Sequence, residues 1–238
     1  MHIHQSPTPD EVLRTLADRI EALATEPTPG AIAWPTGRTV VGLYGLLRKR
    51  HESSPRPWSA REHLPLDDYE GLPAGDDRSF LTWLHRHWFD AADLGPGRVN
   101  AWPAAHDPAT QAHTTLQRTS GLHLAILGLG ANGHVAFNEP GSARESTVRR
   151  VALAPETRAA ALGDFQGESA RVPTHAWTLG IAELRSARHV LLVALGAAKA
   201  PAVHAMLHGP VGSHCPASWL RDHPGFEVYL DEAAAGAR

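Results

Sequence analysis

The chain has 238 residues, 42% of them apolar and 20% charged, with a formal net charge of −3 and a sequence pI near 6.6. That is enough chain and enough apolar content to bury one large core, and the mild acidity excludes the basic field that recruits nucleic acid or an anionic membrane surface. A single cysteine, Cys215, excludes an intrachain disulfide, and no apolar run approaches the ~20 residues needed to span a bilayer.

The opening stretch M-H-I-H-Q-S-P-T-P-D-E has neither the basic nor the apolar segment of a secretory signal, so a cytoplasmic protein is expected. Residues 10–25 put Val12, Leu13, Leu16, Ile20 and Leu23 at helical spacing, with Asp10 able to cap the start and 27–30 ending the helix. A-I-A-W (31–34) reads as a short strand, P-T-G-R-T as a turn, and 39–50 as a helix, which is the unit from which parallel sheets are wound. The proline-rich stretch 53–66 makes a poor strand. Helical apolar spacing returns at 79–90, R-V-N-A-W (98–102) reads as a strand, and 108–119 as a helix. L-H-L-A-I-L (122–127) and R-H-V-L-L-V-A-L (188–195) are buried-strand runs, the second followed by a helix at 197–208. F-E-V-Y-L (226–230) gives a last strand with a short helix behind it. Strands alternate with helices throughout, without linker or repeat. The expectation is one α/β domain over 1–238: a doubly wound, mostly parallel, Rossmann-like sheet.

Behind the strand at 122–127 comes G-L-G-A-N-G-H-V-A-F-N-E-P-G-S (128–142), whose first six residues fit the dinucleotide pattern G-x-G-x-x-G. A nicotinamide loop needs a helix that starts among the glycines, so that its amides face the pyrophosphate. Pro140 and Gly141 stop a helix here, and the motif lies past mid-chain. The same residues read better as a catalytic loop at the C-terminal end of a central strand. Gly128, Gly130 and Gly133 let backbone approach a substrate, His134 is of the residue type that most often moves protons, and Glu139 is placed to orient or charge-balance it. Spacing alone leaves a structural histidine with a solvated glutamate equally open. The 16 histidines are scattered, with H-R-H-W (85–88) and the terminal H-I-H the only close pairs. Neither H-E-x-x-H nor a zinc-spaced His/Cys cluster occurs, so no metal site is expected.

The loop closely resembles the signature G-x-G-x-[DN]-G-H-[IV]-[AG]-F-N-E-P of the glucosamine-6-phosphate deaminase (isomerase) family, which is related to the 6-phosphogluconolactonases. Other stretches agree in order and spacing. W-P-T-G-R-T (34–39) looks like the family's phosphate-side loop P-T-G-x-T, and P-L-D-D-Y-E-G-L-P (65–73) like N-[LM]-D-E-Y-x-G-L. L-G-A-A-K-A (195–200) resembles L-G-x-x-K-A, and C-P-A-S-W-L-R-D-H-P (215–224) resembles the P-A-S-x-L-x-x-H segment. The resemblance covers roughly 30–236.

It implies a fold of the sugar-phosphate isomerase type and an enzyme, of hydrolase class, that acts on an amino-sugar phosphate. Such an enzyme opens the sugar ring, moves a proton between C2 and C1, and releases ammonia. Glucosamine 6-phosphate is the leading substrate and fructose 6-phosphate the product. By the same resemblance Asp67 is the base at C2, and His134 is the acid and base for ring opening, tuned by Glu139 and Asn132. Thr36, Gly37, Arg38, Thr39, Asp68, Gly130, Gly133 and Lys199 would hold substrate, with Asp68 standing where the family has glutamate. No metal or organic cofactor is implied. Taken alone, Asp67 reads as a turn aspartate and Lys199 as a solvated helix-start lysine; the ordered motifs reverse both readings. Family members include hexamers with an allosteric site as well as small monomers. A homo-oligomer is thus open, though the short chain points to the simpler form.

Two departures stand out. Asn132 replaces an aspartate found in many relatives, and so lends His134 no negative charge. In T-R-A-A-A-L-G-D-F (157–165), Gly163 takes the place of the arginine that grips the sugar phosphate in T-R-x-A-N-x-R-F. Losing that bidentate partner is a large change, and Arg38 is the candidate to restore its charge. The alternatives are a lactonase-type hydrolase and a non-catalytic sugar-phosphate-binding protein.

Overall fold

The structure is a computed structural model describing residues 1–95, 97–168 and 171–236. In chain order its elements are β1 (His2–Ser6), α1 (Pro9–Ala24), β2 (Ala31–Trp34), α2 (Arg38–Ser53), β3 (His63–Pro65) and β4 (Asp67–Tyr69). There follow α3 (Phe80–His87), α4 (Pro108–Thr119), β5 (Leu122–Gly128), β6 (Arg149–Ala152) and α5 (Pro155–Ala161). The last are β7 (His175–Thr178), α6 (Ile181–Ser186), β8 (His189–Ala194), α7 (Ala200–His208), β9 (Phe226–Asp231) and α8 (Glu232–Ala235).

Six strands form one sheet in the order β1-β9-β8-β5-β2-β3, every pair parallel. β5 and β8 are nearly continuous apolar runs because helices cover both faces of the sheet. Side chains alternate across the pleat. Leu124, Ile126, Leu191 and Val193 pack with the apolar sides of α1 and α2, while Ala125, Leu127, Val190 and Leu192 join Ala112, Leu184 and Met206 of α4, α6 and α7. From β2 the connection steps outward to β3; β5, β8 and β9 are then added in the opposite direction. The topological switch therefore lies between β2 and β5. A second, antiparallel sheet of order β4-β7-β6 stands beside the C-terminal end of β3.

The expected parallel sheet and its main helices are present. Helix α1 starts one residue early, and Thr8 rather than Asp10 caps it, accepting from the Glu11 amide at 3.3 Å. The stretch 53–66 does yield a strand, the three residues of β3, which pair only with β2 and with an isolated bridge at Val99. That bridge is all that forms of the strand expected at 98–102. The chain turns instead into a 3-10 turn at Trp102–Ala104, with Pro103 inside it and the Trp102 indole donating to the Pro65 carbonyl at 2.8 Å. The helix expected at 79–90 ends at His87 and continues as a 3-10 turn. The helix expected at 197–208 becomes regular only from Ala200. β1, β4, β6 and β7 have no counterpart among the expected elements. No helix among the described residues is long and apolar enough to cross a membrane.

His63 of β3 is wholly buried beside Trp34, with ring planes 17° apart. Its Nδ1 accepts from the Trp34 indole at 2.9 Å, and its Nε2 donates to the Trp58 carbonyl at 2.9 Å. An indole only donates and a carbonyl only accepts, so these partners fix the neutral Nε2–H tautomer. Burial pushes its pKa down to about 4. The unfolded chain therefore binds a proton here before the folded one does, and stability should fall as pH drops from about 6.5 towards 4. We expect urea unfolding to show wild type losing ~3 kcal/mol more than His63→Gln across that range; parallel pH profiles would refute this account of the site.

Candidate active site

Three adjacent strands deliver their C-terminal ends to the switch point, and each carries one of the singled-out loops. β2 runs into Pro35–Thr36–Gly37, β5 into the glycine loop, and β8 into Leu195–Gly196 and Lys199. Gly37 has φ +107°, a conformation that favours glycine, and α2 begins at the next residue. No side chain caps this 16-residue helix, and its first turn holds no acidic residue. Its first-turn amides are therefore left without a side-chain acceptor, at the positive pole of the helix. Thr36 and Thr39 are half-buried there. Arg38 is exposed and makes no ion pair or side-chain hydrogen bond among the described residues.

The glycine loop is folded tightly on itself. The Gly130 amide donates to the His134 carbonyl at 2.9 Å, and the Gly133 amide to the Gly130 carbonyl at 3.0 Å. A Cβ on Gly130 would lie 2.4 Å from the His134 ring, so the imidazole rests where any other residue's side chain would begin. Gly133 has φ +85°, with the sulfur of buried Cys215 against it, and the Ala217 amide donates to its carbonyl at 3.0 Å. The C-P-A-S segment thus buttresses the loop from behind, and both glycines shape the loop for His134.

Asn132 joins His134 and Glu139. Its Oδ1 accepts from the His134 amide at 3.2 Å, and its Nδ2 donates to Glu139 Oε2 at 2.8 Å. The same Oε2 lies 3.3 Å from His134 Nδ1, a close contact without the alignment of a full hydrogen bond. Glu139 Oε1 accepts from the Thr157 hydroxyl. Burial alone would raise the Glu139 carboxyl, but His134, Thr157 and Asn132 outweigh it and hold the pKa below the ordinary value. An ionised carboxylate therefore stands beside the imidazole. Lys199 reaches across from the β8 loop to donate to the Leu129 carbonyl at 2.8 Å, and burial lowers its pKa.

β4 carries the two aspartates in opposite circumstances. Asp68 accepts from the Tyr69 and Phe80 amides (2.7 and 2.8 Å) on Oδ1, and from the Ser79 hydroxyl and Leu81 amide (2.6 and 3.0 Å) on Oδ2. These four donors fill its four lone-pair sites. Its carboxylate thus holds the start of α3 instead of offering itself to a ligand, as the sequence reading had it. Asp67 is also buried, but the Phe137 amide is the lone donor against its carboxylate among the described residues and is shared with the Thr178 hydroxyl. Its pKa is raised well above the ordinary value, first by burial and then by the charge of Asp68. Phe137 sits three residues past His134, so Asp67 and the His134–Glu139 pair flank one short segment.

Sequence reasoning missed the residues that fix that segment. Asn138, fully buried, donates to the Val135 and Leu179 carbonyls at 3.0 and 2.9 Å and accepts from Arg149 at 2.9 Å. Thr178, opposite Asp67 in the β4–β7 register, accepts from the Phe137 amide at 3.2 Å. Within F-N-E-P, the asparagine was the available signal. Gly163 lies exposed in a 3-10 turn, and the charge of neighbouring Asp164 reaches Tyr69. The nearby Arg78 guanidinium lies over the Phe165 ring but is tied to Asp76.

Fold and loops together define the doubly wound α/β class that binds its ligands beyond the carboxyl ends of the strands. Within that class the chain belongs to the family described as Glucosamine-6-phosphate isomerases/6-phosphogluconolactonase, which residues 7–229 match. A glucosamine-6-phosphate deaminase of Corynebacterium kroppenstedtii is 35% identical over 232 residues, covering 96% of this chain and 89% of that protein. Among solved structures, a monomeric glucosamine-6-phosphate deaminase superposes with a TM-score of 0.92 at 28% identity, with both chains covered completely. The 6-phosphogluconolactonase of Trypanosoma cruzi shares the fold, with a TM-score of 0.77 at 19% identity over 98% of this chain and 95% of that one.

Gly130→Ala should displace the His134 ring while leaving the core intact. We expect kcat to drop at least tenfold with little change in Tm; full activity would show that the ring position is not critical. Asp68→Ala should cost about 1–3 kcal/mol in urea unfolding, because the start of α3 loses its acceptor. An unchanged midpoint would refute that capping role.

Proposed function

We propose that the chain isomerises and deaminates glucosamine 6-phosphate, giving fructose 6-phosphate and ammonia. The observation that carries this reading is the burial of Asp67 against the segment that holds His134 and Glu139. In this scheme His134 donates a proton to the ring oxygen as the C1–O5 bond breaks, and then takes one back from the C1 hydroxyl, which becomes the aldehyde oxygen. Glu139 holds the imidazole and balances its charge. Asp67 then takes the C2 proton, the C–H electron pair becoming the C1–C2 double bond while His134 protonates the aldehyde oxygen to give the enol. Return of the proton at C1 leaves an iminium at C2. Water adds there and ammonia departs. A base with a raised pKa suits this step, because it retains the proton between removal at C2 and delivery at C1.

The substrate phosphate would lie at the amide end of α2, near Thr36, Gly37 and Thr39, with Lys199 on one side. With Gly163 bringing no cation, Arg38 is the unpaired charge available to complete the grip. What the relatives' names support is isomerisation with deamination, so the hydrolase label belongs to the lactonase alternative. A monomeric, single-domain, cytoplasmic enzyme is part of the same proposal; the solved monomeric relative supports it over an oligomer.

Asp67→Asn should cut ammonia release from glucosamine 6-phosphate by about 10²–10⁴-fold; near-normal turnover would remove Asp67 from the mechanism. Asp67 works only when ionised, and its pKa is raised, so kcat/KM should fall with decreasing pH through a limb above the ordinary carboxylate range. A limb at or below that range would contradict the assignment. Arg38→Ala should raise KM for the phosphorylated substrate severalfold and leave kcat largely intact, whereas an unchanged KM would rule out compensation by Arg38.

A further inference from the structure

At the end of the sheet away from the active site, three side chains distant in sequence converge. His123 is the second residue of β5, and His189 opens the neighbouring β8, one step from it in the register. Glu26 lies in the loop between α1 and β2. Its Oε2 is 3.7 Å from the Nε2 of His123 and 3.7 Å from the Nε2 of His189. Ligand atoms of all three residues lie within 4.8 Å of one another. We propose that Glu26, His123 and His189 form a binding site for a zinc-class divalent cation, separate from the catalytic centre.

The spacing fits such an ion. Metal–nitrogen and metal–oxygen bonds of about 2.0–2.1 Å put tetrahedral ligand atoms about 3.4 Å apart. The two carboxylate–imidazole separations of 3.7 Å are close to that, and the two imidazole nitrogens, within 4.8 Å, would draw together on binding. Two imidazoles and one carboxylate suit zinc, cobalt or nickel, whereas magnesium and calcium prefer all-oxygen sites. Three protein ligands leave one position for water.

The site is held in advance of any ion. Arg61 donates to the carbonyls of Ala24, Glu26, Thr28 and Gly30, which fastens the Glu26 loop at both ends. Its positive charge, which acts on His123, is thereby turned onto four backbone oxygens. His123 is fully buried, with Nδ1 3.0 Å from the Thr28 hydroxyl and Nε2 2.8 Å from the Leu23 carbonyl. Ligation through Nε2 moves the ring proton to Nδ1, where the Thr28 hydroxyl accepts it. That is the outer-shell contact that orients a metal-bound histidine. Burial lowers the pKa of both histidines, which keeps them in the neutral form that binds metals. Arg19 is engaged by Glu227 at 2.8 Å, while Arg188, next to His189 in the chain and close enough to Arg61 to lower its pKa, is the cation an ion would have to tolerate.

The test is titration of the metal-stripped full-length chain with zinc chloride by calorimetry, and with cobalt chloride by visible absorption. The account predicts one equivalent of zinc bound at micromolar or tighter Kd, with a tetrahedral cobalt spectrum. Affinity should fall at least tenfold in His189→Ala and in Glu26→Gln, while both variants keep wild-type ammonia release. Because many other histidines are present, the variants decide the matter. Absence of binding by wild type, or binding retained by either variant, would overturn the proposal.

Discussion

Two neighbouring carboxylates are buried in β4, and the surrounding structure satisfies only one of them. Successive residues of a strand point to opposite sides. Asp68 points to the start of α3 and receives four donors, while Asp67 points to the loop behind His134 and meets, among the described residues, a single amide that it shares with Thr178. Leaving a buried carboxylate so poorly paired costs several kcal/mol when it is ionised. The result is a group that holds a proton strongly. The second sheet exists to maintain this contrast: β7 fixes β4 in register, and Thr178 on β7 aligns Phe137.

Glu139 follows the opposite logic. It gathers Asn132, Thr157 and His134, and remains ionised despite partial burial. Asn132 thus accepts from the His134 backbone, as an aspartate could, and adds a donor to the Glu139 carboxylate that an ionised aspartate lacks, without adding a second negative charge. Two carboxyls with opposite shifts on either side of one segment match a division of labour, one moving a proton and the other steadying the imidazole.

Much of this was legible in the residues. The buried runs at 122–127 and 188–195, the helical spacing of 10–25 and the loop after β5 all appear where their patterns put them, because parallel strands covered on both faces read as continuous apolar runs. The small sheet was not legible. Its strands are three or four residues long and half polar, and they exist through pairing with distant segments, β4 with β7 about a hundred residues on and β6 with β7 across an intervening helix. β1 was hidden for the same reason: H-I-H-Q-S offers no buried face and is a strand only because β9 lies beside it. The strand expected at 98–102 failed because Pro103 and the Trp102 anchor turn the chain. At the site, His134, Glu139 and Asp67 were readable from their motifs, but the difference between Asp67 and Asp68 was not. D-D offers two identical side chains, and only the position of α3 separates them. The grouping of Glu26, His123 and His189 was invisible for a related reason, since metal-site spacing in sequence presupposes ligands that are near one another along the chain.

The central claim is that the C2–C1 proton shift runs through a carboxyl shielded from water, Asp67 being only 7% exposed. The most direct measurement uses glucosamine 6-phosphate deuterated at C2, with the fructose 6-phosphate product analysed by NMR. A shielded base carries part of that deuterium to C1 before solvent can replace it, so measurable label at C1 is the predicted result. Product with C1 protonated wholly from water would contradict a buried Asp67 as the carrier.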